Sequence, residues 1–80
     1  MFVKICGITN QEDALLATAL GADAVGFVFA PSNRQVAAPI VRDIVRQLPP
    51  EVMTVGVFRD QARDRVVEVV NSIGLRAAQL

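Results

Sequence analysis

The stretch Phe2-Val3-Lys4-Ile5-Cys6, followed directly by Gly7-Ile8-Thr9-Asn10, opens the chain and decides its fold. The first part is short and mostly apolar, which predicts a strand, and the glycine turn after it leads into a helix. Because side chains alternate across a strand, Lys4 and Cys6 face one side of the sheet and Ile5 faces the other. The cysteine therefore ends a strand just before a helix begins, which is where α/β proteins place catalytic groups.

Composition limits the class of protein to which this chain can belong. Its 80 residues are one small domain or part of a larger one, and 52% of them are hydrophobic. Basic and acidic residues number 8 each, so the net charge is zero and gives no support for binding nucleic acid or an anionic membrane. One cysteine cannot form an internal disulfide, and the lack of histidine leaves few metal ligands. We therefore expect a reduced, cytoplasmic protein without a metal ion or a membrane span.

Hydrophobic periodicity and turn residues divide the chain into alternating strands and helices. The strands are predicted at 2–6, 24–29, 53–58 and 75–80, and the helices at 10–20, 39–48 and 61–73. Continuous apolar strands joined by helices predict a parallel sheet that is covered on at least one face.

The ends and faces of the helices are predicted from local chemistry. Thr9 and Glu12 have the spacing of a capping box, so Thr9 is the expected N-cap of the first helix, and Asp60 is the expected N-cap of the third. Pro39 fits the first position of the second helix. The expected buried positions are Leu15, Leu16, Ala19 and Leu20 in the first helix, Ile40, Val41, Ile44, Val45 and Leu48 in the second, and Val66, Val67, Val70 and Ile73 in the third.

The order βαβαβαβ is that of the N-terminal half of a (β/α)8 barrel, an α/β fold whose complete form has about 250 residues. The chain also stops inside an apolar strand, which leaves an exposed sheet edge. We therefore expect residues 1–80 to be a partial barrel domain that is truncated at its C-terminus. A complete small flavodoxin-like sheet is the alternative, although that fold usually has a fifth strand.

Five stretches of the chain resemble the phosphoribosylanthranilate isomerases of tryptophan biosynthesis, in order and in spacing. They are KICGIT at 4–9 with EDA at 12–14, GADAVGFVF at 21–29, SNR at 32–34, VGVF at 55–58 and QL at 79–80. The resemblance covers the whole chain. Asn33 stands where the family has a proline, and Arg34 keeps the family's arginine.

The resemblance implies an Amadori rearrangement without a cofactor or a metal. The substrate would be N-(5′-phosphoribosyl)anthranilate, and the product would be the corresponding 1-deoxyribulose 5-phosphate. Cys6 matches the family's general base, and Arg34 matches the arginine that holds the anthranilate carboxylate. The general acid and the phosphate loops of the family lie beyond residue 80, so we expect the 80-residue chain by itself to be inactive.

The residues themselves are compatible with this chemistry. A cysteine acts as a base only as thiolate, and the start of a helix favours that form. Arg34 offers a planar fork that suits a carboxylate. Lys4, on the face of Cys6, and Gly7, in the turn, are further candidates for substrate binding. The competing interpretations are a small core side chain for Cys6, a solvated strand charge for Lys4 and an ordinary loop charge for Arg34.

Two other classes of function remain open at this stage. The chain could be a non-catalytic half-barrel that forms a homo-oligomer through its open sheet edges, or a small flavodoxin-like binding domain. The second lacks a glycine-rich phosphate fingerprint after its strands.

Overall fold

Four strands and three helices alternate along the chain in the computed structural model, which describes residues 1–31 and 33–79. All seven elements were predicted from the sequence, and most are shorter than predicted. In chain order they are β1 (Lys4–Ile5), α1 (Gln11–Ala19), β2 (Ala24–Val28), α2 (Ala38–Val45), β3 (Met53–Val57), α3 (Arg63–Ile73) and β4 (Ala77–Gln79).

The strands form one parallel sheet in the order β1-β2-β3-β4, so each strand pairs with the next strand along the chain. Ile5 lies opposite Val25 in β2, and Val55 of β3 lies opposite Ala77 in β4. The predicted parallel arrangement is therefore confirmed. Within the described residues, β1 and β4 are the two edges of the sheet.

The helices cover one face of this sheet and build the core there. Val25 and Phe27 of β2 and Val41 of α2 are the largest side chains that are fully buried. They belong to one apolar cluster with residues of all three helices. By alternation, Lys4, Cys6 and Gly26 point to the opposite face of the sheet, which no helix of the described chain covers.

The first helix begins one residue later than the capping-box pattern predicts. Asn10 is its N-cap, and the Asn10 Oδ1 atom accepts a hydrogen bond of 2.8 Å from the backbone N–H of Asp13. The Asn10 Nδ2 atom also donates to the Asp13 carboxylate at 3.1 Å, so Asp13 rather than Glu12 is the acidic residue bonded to the N-cap side chain. The prediction for Thr9 was wrong because the neighbouring asparagine carries an equally good acceptor, and local spacing alone does not choose between them.

The predicted apolar stripe of α1 was also wrong. Ala14 and Ala17 face the core, whereas Leu15, Leu16 and Leu20 are 42%, 57% and 74% exposed. The small alanine side chains allow the helix to lie close to β2, and the leucines then project sideways. Positions three residues apart share a helix face, so the alanines form a stripe that a count of large apolar residues misses.

The other two helices also differ in detail from the predictions. Ala62 is the N-cap of α3, and Asp60 is an exposed residue with a φ of 59°, whose carboxylate lies 3.8 Å from Nε of Arg59. In α3, Val66 and Ile73 are buried as predicted, Val69 is buried as well, and Val67 is exposed. Pro39 lies in the first turn of α2, as predicted, but Ile40 is exposed. No helix of the described residues is long and apolar enough to cross a membrane.

Candidate functional site

Cys6 lies immediately after β1, at the carboxyl edge of the sheet, and it is an exposed free cysteine. The turn after it is held by β2, because the backbone N–H groups of Gly7 and Ile8 both donate to the carbonyl of Gly26 at 3.1 Å. Gly7 has a φ of +84°, which residues with a side chain rarely adopt. The N–H of Gly7 is already bonded within the protein.

Lys4 lies on the same face of β1 as Cys6 and has a partner across the sheet. Its Nζ atom donates a hydrogen bond to Oε1 of Gln79, which is in β4 at the opposite edge. Lys4 is half-buried. The ammonium group therefore extends over the uncovered face from the first strand towards the last, and it places a positive charge on the face that carries the thiol.

Arg34 lies in the loop between β2 and α2, and this loop is tied to the end of β2. The backbone N–H of Val36 donates to the carbonyl of Val28 at 3.1 Å, and Nε2 of Gln35 donates to the carbonyl of Phe29 at 3.3 Å. Nε2 of Gln61, from the loop after β3, reaches the same Phe29 carbonyl at 3.1 Å. These bonds fix the residues that flank Arg34, although Arg34 itself is exposed.

The structure brings the guanidinium of Arg34 over the turn that follows Cys6. A Cβ atom built on Gly7 would lie 3.5 Å from Nη1 of Arg34 and 3.7 Å from its Cγ. Cys6, Gly7 and Arg34 line one cavity of about 290 Å³ beside α1, whose other lining residues are Ile5, Ile8, Asp13, Leu16, Ala17 and Leu20. Three of the four predicted site residues thus line one cavity, whereas the ammonium of Lys4 is bonded to Gln79 across the uncovered face of the sheet.

Two contacts of this site were not predicted from the sequence. Gly26 lies beside Cys6, since Ile5 and Val25 are the preceding pair in the register of β1 and β2. Gln79 holds the ammonium of Lys4. No local pattern signals either contact, because each depends on how the strands are aligned. Ser32 and Leu80, which belong to the SNR and QL stretches, lie outside the described residues.

The site consists of a thiol, two cations and one carboxylate at the carboxyl edge of a parallel sheet. The thiolate form of a cysteine can accept a proton from a bound molecule, and a guanidinium can hold a planar anion through two parallel hydrogen bonds. Within residues 1–31 and 33–79, no group of three or more His, Cys, Asp or Glu side chains is placed to hold a metal ion.

Comparison with known proteins gives a consistent family. The family model described as N-(5′-phosphoribosyl)anthranilate (PRA) isomerase matches residues 3–80. The N-(5′-phosphoribosyl)anthranilate isomerase of Symbiobacterium thermophilum is 50% identical over 80 residues, and that of Desulforudis audaxviator is 52% identical over 77 residues. These matches cover 100% and 96% of this chain but only 36% and 38% of the relatives. The chain therefore spans less than two fifths of the length of these curated relatives.

Solved structures agree with this result. The phosphoribosyl anthranilate isomerase of Thermus thermophilus is 54% identical and superposes with a TM-score of 0.96, and that of Thermotoga maritima is 48% identical with a TM-score of 0.98. Each match covers the whole of this chain and 40% of the solved chain. The predicted N-terminal half of a (β/α)8 barrel is confirmed, and the flavodoxin-like alternative is set aside. From its sequence and from its structure, the chain belongs to the N-(5′-phosphoribosyl)anthranilate isomerase family.

Proposed function

We propose that this chain is the N-terminal part of an enzyme that isomerises N-(5′-phosphoribosyl)anthranilate for the synthesis of tryptophan. The observation that carries the proposal is the meeting of Cys6 and Arg34 at one cavity, where a base and a carboxylate-binding group are both needed. A family member with a TM-score of 0.98 was solved in complex with reduced 1-(o-carboxyphenylamino)-1-deoxyribulose 5-phosphate, a compound related to the expected product. This similarity supports the same class of ligand for this chain.

The reaction is an isomerisation of the intramolecular oxidoreductase type, from an aminoaldose to an aminoketose. An acid first protonates the ring oxygen, the ribose ring opens, and C1′ becomes the carbon of a protonated Schiff base. Cys6, as thiolate, removes the proton from C2′, and the electron pair forms the C1′–C2′ double bond of an enaminol. Return of a proton to C1′ and loss of the proton from the C2′ hydroxyl yield the ketone at C2′, so C2′ is oxidised and C1′ is reduced without an external redox partner or cofactor.

Arg34 supplies binding rather than proton transfer in this proposal. Its guanidinium lies over Gly7, the residue after Cys6, so a carboxylate held there would place the anthranilate ring near Cys6. A bidentate pair between a guanidinium and a carboxylate fixes orientation as well as affinity. Lys4, held by Gln79 on the face of Cys6, and Gly7, in the turn after Cys6, complete the proposed contacts.

The activity requires more than residues 1–80. The carboxylates near the thiol include Asp13, which is already engaged as the partner of the Asn10 cap, and we find no candidate for the general acid or for the phosphate-binding loops in this part. We therefore propose that residues 1–80 are a partial barrel domain and that the 80-residue chain by itself does not turn over the substrate. A location in the cytoplasm stays a prediction from the single cysteine.

The proposal is tested on the protein expressed from the whole reading frame that carries this chain, with conversion of N-(5′-phosphoribosyl)anthranilate as the assay. We expect Cys6→Ala to lower kcat by about 10²- to 10⁴-fold, since general-base catalysis contributes that much. Arg34→Ala should mainly raise KM, and Thr18→Ser in α1, which keeps the hydroxyl bonded to Ala14, is the control. An unmutated protein without turnover, or a Cys6→Ala variant with normal kcat, would contradict the proposal.

A second function, a half-barrel that associates with a copy of itself, is favoured by one observation. Phe2, Leu16 and Leu20 leave apolar side chains exposed near the edge strand β1. Exposed apolar surface beside an unpaired strand edge promotes association. Sedimentation of the purified 80-residue chain distinguishes the two cases, because a monomer over the micromolar range contradicts association.

A further inference from the structure

Gly26 of β2 lies directly against the side chain of Cys6. A Cβ atom built on Gly26 would lie only 2.9 Å from the Cys6 Sγ atom, and 3.4 Å from the Cys6 Cα and Cβ atoms. The backbone of Gly26 does not have a positive φ, so an alanine could adopt its conformation without strain. A glycine at this position therefore leaves space for the Cys6 thiol.

The backbone of Gly26 also binds the turn that follows Cys6. Its carbonyl accepts the N–H groups of Gly7 and Ile8, both at 3.1 Å, and the Ile8 side chain is buried in the core. Cys6 is thus fixed between a strand, β1, and a turn that is bonded to the same glycine. Gly26 thus contacts this part of the chain twice, beside the sulfur atom and through its carbonyl.

Gly56 of β3 provides a comparison within the same sheet. A Cβ atom built there would lie 2.8 Å from Leu75 Cδ1, 2.8 Å from Phe58 Cε2 and 3.2 Å from Phe29 Cε2. These atoms belong to packed side chains on the helix-covered face, where the rings of Phe29 and Phe58 stack with centroids 5.2 Å apart. Neither position has room for a side chain. Core side chains occupy the space at Gly56, and Cys6 occupies it at Gly26.

We propose that Gly26 is a positioning residue for Cys6: it leaves the space in which the Cys6 thiol lies, and so it aims the sulfur atom at the substrate. The proposal rests on the proposed function for its catalytic consequence, because it assumes that Cys6 is the base. Gly26 itself contacts neither the substrate nor the transferred proton, and it acts only through the orientation of the Cys6 side chain.

The test is Gly26→Ala in the protein expressed from the whole reading frame. The sulfur is the free end of a short side chain, so it should rotate away from the new methyl group at little cost to folding. A displacement of about 1 Å at a catalytic group can cost about 100-fold in rate. We expect kcat to fall by about 100-fold, with KM within about twofold of the unmutated protein, because the contacts that bind the substrate remain.

Gly56→Ala is the matched control, as it adds the same methyl group to a strand of the same sheet. We expect it to lower the Tm more than Gly26→Ala does, because its new methyl group meets packed aromatic and leucine side chains. Its kcat should stay within about twofold at a temperature at which circular dichroism shows all variants folded. If Gly26 had only a structural role, each of the two variants would lose activity only in proportion to its fall in Tm.

A crystal structure of each variant provides a readout that does not depend on activity. The sulfur atom of Cys6 should move by about 1 Å or more in Gly26→Ala and stay in place in Gly56→Ala. An unmoved sulfur, or a kcat that Gly26→Ala leaves unchanged, overturns the positioning role. Should the unmutated protein lack isomerase turnover, the proposed function fails, and the sulfur position alone still decides whether Gly26 orients Cys6.

Discussion

The two faces of the parallel sheet differ in what their side chains do. On the helix-covered face, Val25 and Phe27 of β2 are fully buried and pack against residues of the helices. On the other face, the same strand presents Gly26, with Cys6 beside it and Lys4 of β1 on the same side. One strand thus carries the largest buried side chain and the smallest residue in adjacent positions. Stability is concentrated on the first face, and the residues proposed for chemistry lie on the second.

The largest effect on stability is expected from Phe27→Ala on the helix-covered face. Removing a fully buried phenylalanine leaves a cavity and should cost about 3–5 kcal/mol in the free energy of unfolding. Chemical denaturation followed by circular dichroism measures this loss. Cys6→Ala, on the other face, should change the free energy of unfolding by less than about 1 kcal/mol and remove activity instead. An equal loss of stability in both variants would contradict the division between the faces.

A smaller effect is expected at the start of α1, where the sequence pattern and the structure disagree. Asn10→Ala removes the acceptor of the Asp13 N–H and should cost about 1 kcal/mol. Thr9→Ala serves as the matched variant, because the only hydrogen bond of the Thr9 side chain in the described chain is a long one of 3.5 Å from Asn10. It should cost less than about 0.5 kcal/mol. If urea denaturation showed a larger loss in the free energy of unfolding for Thr9→Ala than for Asn10→Ala, Thr9 would be the N-cap.

The smallest effect is expected in the loop after β3, at the carboxyl edge of the sheet. Asp60 has a φ of 59°, a conformation that costs less for glycine than for a residue with a side chain. Asp60→Gly should therefore raise the free energy of unfolding by up to about 1 kcal/mol. Asp64→Gly, in the first turn of α3, is the control and should lower it by about 1 kcal/mol. A destabilised Asp60→Gly variant would mean that its carboxylate has a structural role.

The predictions from sequence that failed are those that depend on how the helices pack and where they begin. In α1 the leucines were predicted to be buried, but the helix packs through Ala14 and Ala17. Hydrophobicity identifies residues that gain from burial, but the distance between a helix and a sheet decides which side chains fit there. Similarly, Asp60 has the residue type of an N-cap, yet the chain turns through it and α3 begins after Ala62.

The sequence by itself determined the order of the elements, the parallel sheet and the place of Cys6 at the end of the first strand. These features depend on local periodicity and on turn residues such as Gly7, so they can be recognised without knowing the rest of the fold. Only the tertiary structure decided that Gly26 lies against the thiol and that Gln79 holds Lys4, which is 75 positions away in the chain. Such contacts follow from the register of paired strands, and shifting that register by one residue would turn every side chain to the opposite face.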